Sequence, residues 1–158
     1  MTLDREALEH AVRVYYAACN AGDLEAMAAC FTPDARHYFP AGAPQGTFMS
    51  AAAIARGWAD VVGRLDSRWT IDHLVIDVAT REVAIEWTHW KPAQGGYLRG
   101  IEICVFDESG LMTEIRAAYA APASAPIHEY GDYPYAARGY ALEPPDVPGR
   151  AAPRTGDS

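Results

Sequence analysis

No apolar run in this chain reaches the roughly 18 residues that a membrane span requires, so no transmembrane segment is expected. Positive charge is scarce: 13 basic residues, nearly all arginine and spread along the chain, stand against 21 acidic ones. With a net charge of −8 and no basic cluster, neither nucleic acid nor an anionic membrane surface is an expected partner. Cysteine is equally sparse. Cys19, Cys30 and Cys104 are odd in number, fall at apolar-periodic positions, and form no CxxC or Cys/His ligand spacing. They read as small buried thiols in a reducing cytoplasm, and no metal site is expected. The opening MTLDREALEH is acidic and lacks a basic segment followed by an apolar one, so no secretory signal is expected. The string AGAPQG has glycines without a phosphate-loop pattern and reads as a turn. No cofactor is implied.

What is present is enough for one domain with a real core: 158 residues, half of them apolar. Asp4 is placed to cap a helix running to Ala21, in which Leu8, Val12, Tyr15 and Cys19 form one stripe. A phenol on such a stripe must find a hydrogen-bond partner or face a cavity. Gly22 then supplies a left-handed stop and Asp23 a second cap. The next helix, about Leu24–Phe31, ends at Thr32-Pro33, and a short strand covers Ala35–Phe39. Ser50 caps a third helix carrying Ile54, Trp58, Val61 and Leu65, with Met49 and Ile54 placed as a hydrophobic staple.

From Arg68 the apolar period changes from that of a helix to that of a strand. Strands are expected at about Arg68–Val78, Glu82–Lys91, Tyr97–Asp107 and Leu111–Ala120, joined by short turns as antiparallel hairpins. Three helices lying on one face of such a sheet make an α+β fold. Seven of the eleven prolines and four of the nine tyrosines lie beyond Ala121. The domain is therefore expected to span residues 1–121. A Pro/Tyr-rich tail, 122–147, is expected to pack on it or on a partner subunit, and 148–158 to be disordered.

Two stretches, YYAACNAGDLEAMAACFTPDA and LRGIEICVFDESGLMTEIRAAY, resemble the superfamily of nuclear transport factor 2, over about residues 4–120. That superfamily includes ketosteroid isomerases, SnoaL-like polyketide cyclases, limonene epoxide hydrolases and scytalone dehydratase. The resemblance implies a cone-shaped α+β barrel whose strongly curved, mostly antiparallel sheet encloses an apolar pocket. Against the ketosteroid isomerases, Tyr15 matches the oxyanion-hole tyrosine and Glu102 the acid of the strand motif, a carboxylic acid that those isomerases keep neutral in an apolar site. Phe39 stands where the general-base Asp belongs. The epoxide-hydrolase triad is unmatched because Ala117 occupies its final-strand Asp position. The SnoaL-like cyclases fit best.

Strand alternation then gives the inward set. Val83, Ile85, Trp87 and His89 share one face; Leu98, Gly100, Glu102, Cys104 and Phe106 share another; Ile115, Ala117 and Tyr119 point in, as do His37 and Phe39. His73 lies with Trp69 and Ile71 on a face the alternation does not fix. The expected catalytic residues are His89 as general base, Glu102 opposite it as proton donor or tautomer-holding partner, Tyr15 as enolate stabiliser, and His37. Phe39, Trp58, Trp87 and Tyr119 are the expected substrate-binding residues. This set suits a cofactor-independent isomerase, cyclase or lyase acting on a small hydrophobic carbonyl or hydroxy compound. Two alternatives are a non-catalytic binding domain and epoxide-hydrolase-like hydrolysis. A homodimer through the outer sheet face is expected, because Trp90, Ile101, Ile103 and Val105 would make that face apolar.

Overall fold

Asp4 accepts a hydrogen bond from the Ala7 amide at 2.9 Å and opens helix α1, Arg5–Ala21, in the computed structural model of the chain, which describes residues 3–40, 43–119 and 134–149. Gly22, at φ 68°, closes α1 with its amide on the Ala18 and Cys19 carbonyls. Asp23 caps α2, Leu24–Ala29, and Ser50 caps α3, Ala51–Leu65. Met49 is 57% exposed, so the expected staple onto the fully buried Ile54 does not form.

The strands are β1 (Phe31–Tyr38), β2 (Arg68–Asp77), β3 (Glu82–Lys91), β4 (Gly96–Phe106) and β5 (Met112–Ala118). They form one sheet in the order β1-β5-β4-β3-β2, antiparallel except for the parallel β1–β5 pair. The second helix is thus shorter and the first strand longer than expected. Pro33 lies inside β1 rather than ending a helix before it. That is sterically allowed because β1 is an edge strand whose register shifts between Phe31 and Arg36, where the missing amide breaks no regular ladder. Helix α1 packs on β2 and α3 on β1, so the helices bridge the sheet's two edges and close its concave face.

One bulge decides which side chains look inward. In the β2–β3 ladder Ile71 pairs with Trp87 but His73 pairs with Glu86, so Asp72 is the extra residue. The bulge turns His73 to the outer face, where it is exposed. Leu74, opposite Ile85, returns to the core side.

The convex face carries a connected polar layer. Asp72 accepts hydrogen bonds from Thr70 at 3.0 Å and Thr88 at 2.6 Å. Arg99 donates to Thr88 at 3.1 Å and stacks on Tyr135 at 4.1 Å from the ring centre. Arg68 donates to the Pro145 carbonyl at 2.8 Å, and the Tyr140 hydroxyl donates to Glu86. The chain's own segment at 134–149 thus lies against this end of the outer face. Trp90 is buried within the chain, with its indole N–H on Thr70, and is not the open dimer-face residue the sequence suggested. Ile101 remains 45% exposed on the same face.

Candidate active site

A cavity of about 660 Å³ opens between the concave face of the sheet and helices α1 and α3. All eight side chains singled out from the sequence line it: Tyr15, His37, Phe39, Trp58, Trp87, His89, Glu102 and Tyr119. Their partners differ from expectation at Glu102 and His89.

Glu102 does not face His89. The loop at Pro92–Gly95 fixes the β3–β4 register so that Glu102 lies opposite Ile85 and His89 opposite Leu98. Four residues of β3, about 13 Å of strand, separate those rows. Instead, the Tyr16 hydroxyl donates to Glu102 Oε1 at 2.9 Å. Burial pushes the Glu102 carboxyl up to about 7, and the Tyr16 hydrogen bond pulls weakly the other way. Tyr16 escapes a reading of the sequence by single stripes, although it lies four residues beyond Val12 on the buried side of α1 and is itself buried.

Tyr15 does find a partner: its oxygen accepts from the Trp58 indole N–H at 2.8 Å. Burial, followed by the nearby Cys19 and Glu102, raises its pKa well above the usual phenol range. Its proton therefore stays on oxygen.

His89 sits face to face with Trp69 at 4.3 Å, its Nε2 2.8 Å from Ser67 Oγ. Burial, then the charge of Lys91, lowers its pKa to about 3. A base that weak is neutral at pH 7 and takes protons poorly. Asn20 fixes this corner: it donates to the Trp69 carbonyl at 2.9 Å and accepts from the Trp69 amide at 2.6 Å.

His37 is the least satisfied side chain in the cavity. It stacks on Phe39 at 4.2 Å and meets Trp58 edge-on at 5.4 Å. Both its ring nitrogens are buried and, among the described residues, without a hydrogen-bond partner, as is the Trp87 indole N–H. Burial lowers the His37 pKa to about 3, so the ring is neutral, with one donor and one acceptor unused. Trp87 keeps its position because its cross-strand neighbour is Gly100. A Cβ there would fall 2.5 Å from the indole. At the rim, the Tyr119 hydroxyl accepts from Gln45 at 2.7 Å. Among the described residues no cluster of three or more His, Cys, Asp or Glu side chains is placed to hold a metal.

Residues 12–115 match the SnoaL-like domain family, and the chain belongs to it. No curated protein sequence matches the chain. A protein of unknown function with a cystatin-like fold from Methylobium petroleophilum PM1 is 50% identical, covers 94% of this chain and 99% of its own, and superposes with a TM-score of 0.74. SalBIII, an epoxide hydrolase/cyclase-like enzyme of pyran ring formation in salinomycin, is 17% identical over 75% of this chain and 94% of its own, with a TM-score of 0.64. A provisionally assigned polyketide cyclase from Sinorhizobium meliloti is 15% identical over 69% and 94%, with a TM-score of 0.59. The last two speak for the fold alone.

Proposed function

We propose that this SnoaL-like protein is a cofactor-independent acid–base enzyme that moves a proton next to the carbonyl of a small hydrophobic substrate. One observation carries the reading: a carboxyl group with a pKa of about 7 lines the same apolar cavity as a neutral imidazole whose two nitrogens have no partner among the described residues. Glu102 is the proton-transfer group because its pKa lies near working pH. Tyr16 orients it. His37, and beside it the Trp87 N–H, supplies hydrogen bonds to the substrate oxygen. A neutral donor suits that task because it need not lose solvation when charge develops.

In this scheme ionised Glu102 removes a proton from the carbon beside the carbonyl. The electron pair passes to the carbonyl oxygen, giving an enolate held by His37. Protonated Glu102 then returns the proton to another carbon in an isomerisation. In ring closure it protonates the alkoxide formed when the enolate carbon attacks a second carbonyl, and in elimination it protonates a departing hydroxyl. The test is deuterium uptake from heavy water into a panel of cyclic ketones and β-keto esters, followed by NMR. Catalysed exchange should rise with pH, half-maximal near pH 7, and fall about a hundredfold in His37→Phe. Exchange indifferent to both pH and Glu102→Gln would overturn the reading.

Phe39, an apolar ring where the resemblance called for a carboxylate, favours a second reading as a non-catalytic binding domain. That reading expects tight ligand binding with no exchange on any substrate.

A further inference from the structure

Lys91 is the single lysine of the chain; every other side chain in its basic count is arginine. It follows Trp87 and His89 on the inward face of β3 and lines the cavity beside Gln94. Half-buried, it makes no hydrogen bond or ion pair among the described residues. Arg64, another cation at the cavity, is held by Asp60 at 2.8 Å, so its charge is already met. A lone ammonium beside apolar aromatic walls, in a protein of net charge −8, is an uncompensated charge at the edge of a dry space.

We propose that Lys91 anchors the carboxylate of the ligand, which is therefore an elongated hydrophobic acid with its reacting part beside Glu102. This deepens the acid–base reading and rests on it for which end of the molecule reacts. Length follows from register. Lys91 pairs with Gly96 and Ile85 with Glu102, so six residues of β3, at most about 20 Å, separate the two rows. A two-carbon acid cannot touch both groups; a ligand that does must be elongated, its length set by that separation less the reach of the lysine and glutamate side chains.

The experiment is calorimetric titration with octanoate and with octanamide, which share a chain and differ in charge. Octanoate should bind about tenfold more tightly than the amide, consistent with one charge-assisted contact. Lys91→Met should remove that preference while leaving the amide affinity unchanged, and Lys91→Arg should retain most of it. Reductive methylation with isotope-labelled formaldehyde provides a check that needs no variant. It gives NMR signals only from the N-terminal amine and Lys91, and octanoate but not octanamide should shift the Lys91 signal. Equal binding of the two probes, binding of neither, or a preference that survives Lys91→Met overturns the anchor. Because the readout is binding, it separates from the catalytic reading. Acid preference without Glu102-dependent exchange removes catalysis and keeps the anchor, and exchange without acid preference does the reverse.

Discussion

The two faces of the sheet bury polar side chains differently. On the convex face Thr70, Asp72, Thr88, Arg99 and Trp90 are linked to one another, and each of these side chains has at least one partner. On the concave face Glu102 and His89 are paired with Tyr16 and Ser67, whereas the equally buried His37 and Trp87 have no hydrogen-bond partner among the described residues. An unmet buried donor or acceptor costs about 1–3 kcal/mol. The paired layer accounts for itself as structure, since it ties the bulge at Asp72 to the next two strands. The unpaired groups do not, and they line a cavity large enough for a small organic molecule.

The sharpest way to break this comparison is Glu102→Gln, which keeps the shape and the acceptor for Tyr16. Turnover should fall by a factor of about a hundred to a thousand, measured on whichever ketone exchanges fastest. A loss below tenfold would return Glu102 to the structural side.

The same variant should gain stability, with a defined sign in pH. The Glu102 pKa is raised in the folded state, so between about pH 4.5 and 7 the native protein holds a proton that the unfolded chain has released. Wild-type stability from this group is complete below pH 4.5 and is lost as pH rises to 7. Glu102→Gln should thus exceed the wild type by about 3 kcal/mol at pH 8 and match it at pH 4, read from urea melts at each pH. His37 and His89 work in the reverse direction. Their lowered pKa values leave stability full above pH 6.5 and eroding as pH falls toward 3.

A cut in the convex layer should behave as pure structure. Thr88→Val removes an acceptor for Arg99 and a donor to Asp72, and should cost about 2 kcal/mol in the same melts with exchange rates unchanged. Least costly of all, His37→Phe should leave stability equal to or above that of the wild type, because no hydrogen bond is lost and an unmet buried donor and acceptor are removed. A large destabilisation there would mean that His37 belongs to the scaffold.

Much of this arrangement was legible in the sequence. Capping residues and the change of period located the elements, and alternation placed Trp87, His89, Glu102 and His37 on the inner face. The failures share a cause: alternation gives the face but not the neighbour. Glu102 and His89 do face the same way, yet their pairing depends on the β3–β4 loop. His73 was undecided because one extra residue at Asp72 reverses the alternation, and nothing local to Ile71-Asp72-His73 marks a bulge. Tyr16 was overlooked because a single stripe was drawn where α1 buries a broader arc. The contacts of the segment near 140 with Arg68 and Glu86 join residues distant in sequence. Residues 120–133 and 150–158 of the expected tail and chain end lie outside the described residues.

Gly100 carries a consequence for how such a pocket diversifies. The indole of Trp87 occupies the volume that any side chain at 100 would claim, so the two positions are one choice made twice. A descendant that acquires alanine there must surrender the tryptophan or tip it into the hollow, changing which molecules fit. Positions 87 and 100 should drift together through the lineage.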